Sequence, residues 1–364
     1  DEPDRPQRRL DRELETGVLK IDFIGYRSYS REINLKGQKV ELGVIRLREA
    51  INDLNAVTIT AGTFEAGDKK KSISLNSLDM VTTAGSDGDV YGALKSLPGT
   101  TPVGESGKLF VRGGDSRESK TYSDGTLVHV PYSSSTPGQS VRGRFNPFMF
   151  SGMMFSTGGY SAEYGQALSS VLALQTNAMP AQDQLNISLL SVGGEIGGTK
   201  TWDDLSLTST LSCYNLTPYM RLLPQNVEWD TEPRSYSGDL SLRWRTGNSG
   251  MLKLYATANR SRMATLEERL ENPDHRFRYQ LVNDNFFLNS SWAGEAVNGW
   301  ILSAGFSVTC NTDHIRYDTV DRKEQLWGSH AKFTVKRRFN DHVRVLAGSE
   351  FYSKNYGYLF PGTE

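Results

Sequence analysis

Cysteine is scarce: the 364 residues carry two, Cys213 and Cys310, far apart in separate predicted strands. A disulfide and a pair of small packed thiols are both open, but a multi-bridge scaffold is excluded. The five histidines (His129, His275, His314, His330, His342) are scattered, and none stands at ligand spacing from another. No phosphate-binding loop or zinc motif occurs, and no nucleophile–base constellation can be assembled, so neither a metal or other cofactor nor a catalytic residue is assigned. Net charge is −1 with 23% charged residues, which gives no global field for nucleic acid. Mean hydropathy is −0.48 and no run reaches 18 apolar residues, so no membrane-crossing helix is encoded. A membrane β-barrel escapes that test, because alternating strands score poorly on hydropathy. The first residues, Asp1 to Glu15, are charged and lack the apolar core of a signal peptide.

What is present favours strands. Thirty-five glycines stand against 13 prolines, with aromatics at 10%. Residues 109–128 and 150–176 are Gly-rich and extended, punctuated by Arg112-Gly113-Gly114 and Asp124-Gly125. Asp-Gly is a two-residue hairpin signal, and Arg112 beside a tight bend offers a fixed cation to a carboxylate. A small α+β domain with ordinary hairpins would satisfy these pieces alone.

Their order, however, resembles the plug domain of TonB-dependent outer-membrane receptors. A short helix at 89–97 is followed by Leu97-Pro98-Gly99, Val111-Arg112-Gly113-Gly114, Asp124-Gly125, Glu163-Tyr164-Gly165 and an apolar strand at 171–175. One departure is Ser123, where such plugs carry an apolar residue. The resemblance covers roughly residues 80–177 and implies a plug–barrel network of Arg112, Gly113, Gly114, Asp124 and Glu163. It also implies that Tyr132, Arg142, Arg144 and Phe145 form an outward loop meeting ligand. Upstream, three alternating segments at 18–48 are similar to the last strands of a carboxypeptidase-regulatory-like β-sandwich, a non-catalytic module. Between them and the plug, Asn55, Ala56, Val57, Thr58, Ile59, Thr60 and Ala61 look like a TonB box, the extended peptide gripped by a periplasmic TonB-type energy transducer.

Beyond residue 180 the pattern changes to long alternation. Leu252, Leu254 and Ala256 alternate with Lys253, Tyr255 and Thr257; Trp300, Leu302, Ala304 and Phe306 alternate with Ser303, Gly305 and Ser307. Short connections at 202–205, 246–250, 294–299 and 340–342 alternate with long ones at 217–234, 261–280 and 312–325, as in outer-membrane barrels. Tyr236, Trp244, Trp292, Trp300 and Trp327 stand near expected strand ends, as an interfacial girdle requires.

The expectation is a mostly β protein: an α+β plug domain followed by an incomplete antiparallel transmembrane β-barrel of about nine strands. The expected divisions are 1–17 polar remnant, 18–50 partial sandwich, 51–77 linker, 78–180 plug and 181–364 barrel. Nine strands cannot close around such a plug, so the chain reads as a portion of a longer receptor. The implied function is TonB-dependent, plug-gated import of a scarce nutrient (a siderophore, cobalamin, glycan or similar small-molecule or oligomeric substrate) across the outer membrane of a Gram-negative bacterium, among outer-membrane lipid. A passive surface-binding β-protein is the alternative.

Overall fold

A computed structural model describes residues 16–21, 29–34, 72–86, 88–102, 107–137, 139–180, 182–223, 227–247, 249–269, 272–340 and 343–360. Strands β1 (Thr16–Ile21) and β2 (Tyr29–Asn34) pair antiparallel, Thr16 opposite Asn34. The third sandwich segment and the peptide 55–61 lie outside the described residues.

The plug begins with β3 (Ser72–Asn76), which leads directly into helix α1 (Ser77–Thr82). Asn76 caps α1 by accepting the Asp79 N–H at 2.8 Å, and the Asp79 carboxylate returns to the Asn76 N–H at 3.0 Å. Helix α2 (Val90–Leu94) is capped by Asp89, whose carboxylate accepts from Gly92 N–H at 3.0 Å. Then come β4 (Thr100–Pro102), β5 (Leu109–Val111), β6 (Lys120–Ser123), β7 (Thr126–Val128), β8 (Phe150–Ser156) and β9 (Val171–Thr176). Strands β4 and β5 pair alone, while the main sheet has the order β3-β8-β9-β6-β7, with β6 parallel to β9. Central β9 reads Val-Leu-Ala-Leu-Gln-Thr because both its faces are covered. Met80, Leu94, Val111, Phe150, Phe155 and Leu174 fill the core.

The wall is one antiparallel sheet of 9 strands in chain order. It comprises β10 (Gln184–Leu190), β11 (Gly193–Thr201), β12 (Leu205–Asn215), β13 (Glu228–Thr246), β14 (Gly250–Arg269), β15 (Asn272–Glu295), β16 (Trp300–Tyr317), β17 (Val320–Arg338) and β18 (Arg344–Leu359). Helix α3 (Thr217–Leu222) occupies the connection from β12 to β13.

All three expected long loops are corrected: 217–234 holds α3 and gives way to β13 at Glu228, which pairs with Leu266 of β14. Strands β14 and β15 stay in register through 261–280 as far as Glu268 opposite Arg276, and β16 and β17 stay paired to Tyr317 opposite Val320. Cross-strand ion pairs hold these arms, among them Arg278 to Asp230 at 2.7 Å and Arg316 to Asp321 at 2.7 Å. In these arms both faces carry charged and polar side chains, so hydrophobic alternation fades there although the ladder continues.

The sidedness of the wall is inverted relative to a soluble sheet. Its buried face carries Arg243, Lys253, Asn283, Asn289, Ser307, His330 and Lys332. Its open face carries Leu240, Phe286, Phe306 (45% exposed), Phe333 (47%) and Phe351. Hydrogen-bond register sets the aromatics in rows. Trp244, Leu252, Trp292, Ala304 and Phe333 form one continuous line across β13–β17, and Phe286, Cys310 and Trp327 form a second toward the arms. The apolar stretch between them ends on β14 at Arg260. Tyr236 and Trp327 are therefore mid-strand rather than terminal, because β13 and β17 run on beyond the apolar band.

Candidate functional site: the plug–wall interface

Asp124 (φ 42°) and Gly125 (φ 84°) make the tight turn between β6 and β7, both left-handed as a two-residue hairpin of this kind demands. The turn pushes β7, the edge strand of the plug sheet, against β15, β16 and β17. Asn289 donates to Ser123 O at 3.0 Å, and Leu127 N–H donates to His330 Nδ1 at 2.8 Å. Ser307 Oγ donates to Leu127 O at 2.8 Å. The approach is close because the wall carries glycine there. A Cβ on Gly305 would stand 2.5 Å from Thr126 Cγ2, and one on Gly328 would stand 2.5 Å from the His129 ring.

Among the described residues three wall cations reach the plug, Arg243 Nε donating to Asn177 O at 2.7 Å and two lysines bonding further along. Lys253 Nζ donates to Thr176 O at 3.1 Å and lies 3.6 Å from the Asp124 carboxylate, which also accepts from Thr176 N–H at 3.1 Å. Lys332 Nζ donates to Glu163 O at 2.9 Å and sits 3.2 Å from the Glu163 carboxylate and 3.3 Å from that of Glu350. The same ammonium lies 5.0 Å from the Tyr164 ring centroid. His330 stacks on Tyr352 at 4.4 Å, and the Tyr352 hydroxyl donates to Glu350. A cavity of about 80 Å³ separates the two ion pairs, lined by Asp124, Glu163, Lys253, Lys332 and small residues such as Ala293 and Gly305. It has room for several water molecules, and polar groups on both sides to hold them.

The structure thus brings Asp124 and Glu163 to the interface. Arg112 lies elsewhere. It is exposed, at φ 51°, beside Gly99 and Gly158, and no wall carboxylate pairs with it among the described residues. Gly113 and Gly114 close the bend after it, Gly114 N–H donating to Val111 O at 2.9 Å. Wall partners Lys253, Lys332, Asn289 and His330 were not singled out as site residues from sequence. Their one signal is a polar residue repeated on alternate positions of a long strand.

Three of the four expected ligand-loop side chains have other work, which corrects that expectation. Phe145 is buried among Phe150, Tyr255 and Phe287. Tyr132 packs on Tyr91 at 4.3 Å, and its hydroxyl accepts from Leu109 N–H at 3.2 Å. Arg144 donates to Asn283 Oδ1 at 2.9 Å and Asn311 Oδ1 at 3.0 Å on the wall, clamping the loop. Desolvation pushes Arg144 down to about 10, with Asp313 acting the other way. Arg142 alone of the four is exposed. On the inner side, Asp89 accepts from Gly143 N–H at 2.8 Å, tying the same loop to α2; burial raises its pKa, opposed by the hydrogen bonds from Gly92 and Gly143. No group of three His, Cys, Asp or Glu side chains converges among the described residues.

An α+β plug seated on the polar face of a sheet whose other face is apolar is a TonB-dependent-receptor-like fold. Solved structures of that kind share it at low sequence identity. The ferric citrate transporter FecA aligns over 82% of this chain at 12% identity and a TM-score of 0.55, and 58% of its own length is matched. The outer membrane transporter YddB from Escherichia coli aligns over 81% at 9% identity and 0.56, with 50% of its length matched. The alcaligin outer-membrane receptor FauA from Bordetella pertussis aligns over 86% at 11% identity and 0.50, with 59% matched. The chain therefore spans between half and three fifths of these structures. No family model and no curated protein matches the sequence.

Proposed function

We propose that the chain works as a plug-gated importer in the outer membrane of a Gram-negative bacterium, driven by a TonB-type transducer in the periplasm. The inverted wall supports this most directly. A face of Leu, Phe and Trp suits outer-membrane lipid, while a face of Arg, Lys, Asn and Ser holds a folded plug. The plug fills the lumen on this side through hydrogen bonds and ion pairs that water can replace, as a gate that must open requires. No covalent chemistry is involved, and the cargo is a small molecule or an oligomer recognised from outside. The similarity to structures named as transporters supports the same reading. Asn55 to Ala61 are the docking peptide, and β3, next in the chain, is the edge strand to which a pull would first be transmitted.

The test is binding of the purified periplasmic domain of a TonB-type protein to the full chain in detergent. Residues 55–61 should be required: deleting them abolishes the interaction and leaves membrane insertion intact. Undiminished binding by the deletion variant refutes the docking role and favours a passive surface protein.

A further inference from the structure

The open face of the wall is apolar, yet at the end with the short connections an arginine stands on it. Arg337 on β17 follows Phe333 and Val335 at two-residue steps, so it lies on the side that carries the apolar band. Register sets it directly opposite Trp300, which stands in the same way to Leu302 and Ala304 on β16. Both residues lie just past the row that runs from Trp244 to Phe333, beside the connections at 294–299 and 340–342. Phe339 follows, its N–H donating to Val343 O at 3.0 Å and so fixing it in the turn after β17.

The Arg337 guanidinium sits in the corner of two rings. Its central carbon is 4.6 Å from the Phe339 centroid and 5.3 Å from the Trp300 ring. The rings themselves meet edge-on, at 88° and 6.1 Å. Contact with two aromatic faces holds the planar fork in place without using its N–H donors. No side chain or backbone group of the described residues accepts from Arg337 or forms an ion pair with it. The arginines of the arms differ: Arg276, Arg278, Arg316 and Arg322 each have a carboxylate partner. A cation held by rings, with its donors unspent and apolar surface alongside, suits an anion that brings an apolar body of its own. Leu302, Val335, Ala304 and Phe333 carry that apolar surface onward from the site.

Charge selects the anion further. On the open face Arg337 is bordered by Trp300, Leu302, Val335, Val345 and Ala347, so a zwitterionic head group would bring an ammonium with no carboxylate to meet it. Lys336 and Arg338, on the other face of β17, and Arg344 opposite Arg338 add positive field across the thin sheet. A phosphodiester bearing an uncharged polyol fits the same place without that cost.

We infer that Arg337, Trp300 and Phe339 bind the phosphate of an anionic glycerophospholipid of the phosphatidylglycerol type, its acyl chains lying along Leu302, Val335 and Phe333. The import reading supplies the leaflet alone: short connections are periplasmic, so the lipid belongs to the periplasmic leaflet. The test is native mass spectrometry of the full chain, delipidated in detergent and titrated with four probes. These are phosphatidylglycerol, phosphatidylethanolamine, diacylglycerol of the same chains and glycerol 3-phosphate. Phosphatidylglycerol should bind saturably, about 10-fold or more tighter than diacylglycerol, and Arg337→Gln should remove that advantage while diacylglycerol binding stays unchanged. Arg337→Lys, which keeps the charge and loses the fork, should weaken phosphatidylglycerol about 3-fold. Phosphatidylglycerol binding indifferent to Arg337→Gln overturns the proposal, as does diacylglycerol binding of equal strength. Phosphatidylethanolamine bound as tightly as phosphatidylglycerol overturns the anionic assignment, and glycerol 3-phosphate bound as tightly marks a free-phosphate site instead and overturns the lipid. No transducer enters this titration, so its failure would leave the import reading to the transducer-binding test.

Discussion

Replacing Lys332 by methionine should loosen the plug from the wall. The side chain is 7% exposed, and its two carboxylate partners are about a fifth exposed, so solvent screens the cluster weakly. Methionine keeps the apolar stem but leaves Glu163 and Glu350 facing each other without the cation, and leaves the Glu163 carbonyl without its donor. Breaking a buried pair in this way costs about 3 kcal/mol, the low end of the usual range because the carboxylates retain some water. At 1.4 kcal/mol per decade, local opening of the plug edge becomes about 100-fold more frequent. Amide hydrogen exchange reads that directly: protection at residues 122–128 and 163–165 should fall by about two decades, while β3 amides change far less. Adding Glu350→Gln should restore part of the loss, because it removes the like-charge contact that Lys332→Met created. Unchanged protection in Lys332→Met, or an equal loss across the plug, would refute the claim that this cluster pins the β7 side.

A Cβ at position 305 meets Thr126, so Gly305→Ala should lower the denaturation midpoint by overpacking worth about 1–3 kcal/mol. Thr126→Ser in the same chain removes the clashing methyl and should return most of it, whereas a double variant no better than the single would argue against the close approach. Burial raises the Asp89 pKa above its ordinary 3.8, so the folded chain holds that proton more tightly than the unfolded one. The stability this contributes is complete below pH 3.8 and is lost as pH rises through the folded value. Asp89→Asn should flatten that slope in pH-dependent denaturation curves. It should also cost about 1–2 kcal/mol, since one amide oxygen cannot serve both Gly92 and Gly143.

Legibility from sequence followed the physics of each region. Between the two aromatic rows one face of the wall is apolar and the other polar, so Leu252, Leu254 and Ala256 against Lys253, Tyr255 and Thr257 read as a wall with no structure in hand. Past Arg260 that contrast fades, and the paired arms of 261–280 and 312–325 read as loops. The Asp124-Gly125 turn was visible because its left-handed backbone restricts the residues that can form it. Arg112 was not placed so well: a cation beside a bend is compatible with any carboxylate nearby, and here the wall supplies none among the described residues. Tyr132, Arg144 and Phe145 misled for a related reason. Aromatic and basic residues in a Ser/Gly-rich loop have the same composition whether they face a ligand or clamp the loop to Asn283 and Asn311. The partners Lys253 and Lys332 became legible only once register showed which plug groups stand opposite them.

All of this depends on the wall being oily on its outer surface and polar toward the plug. The direct measurement is spin-label accessibility along β14 in reconstituted bilayers, with Cys213 and Cys310 first changed to serine and one label placed in turn at each of residues 251–258. Labels at Leu252, Leu254 and Ala256 should collide readily with dissolved oxygen and hardly with a water-soluble nickel chelate, and those at Lys253, Tyr255 and Thr257 should be shielded from both. Oxygen accessibility without a two-residue period, or chelate access at Leu252, Leu254 and Ala256, would contradict it.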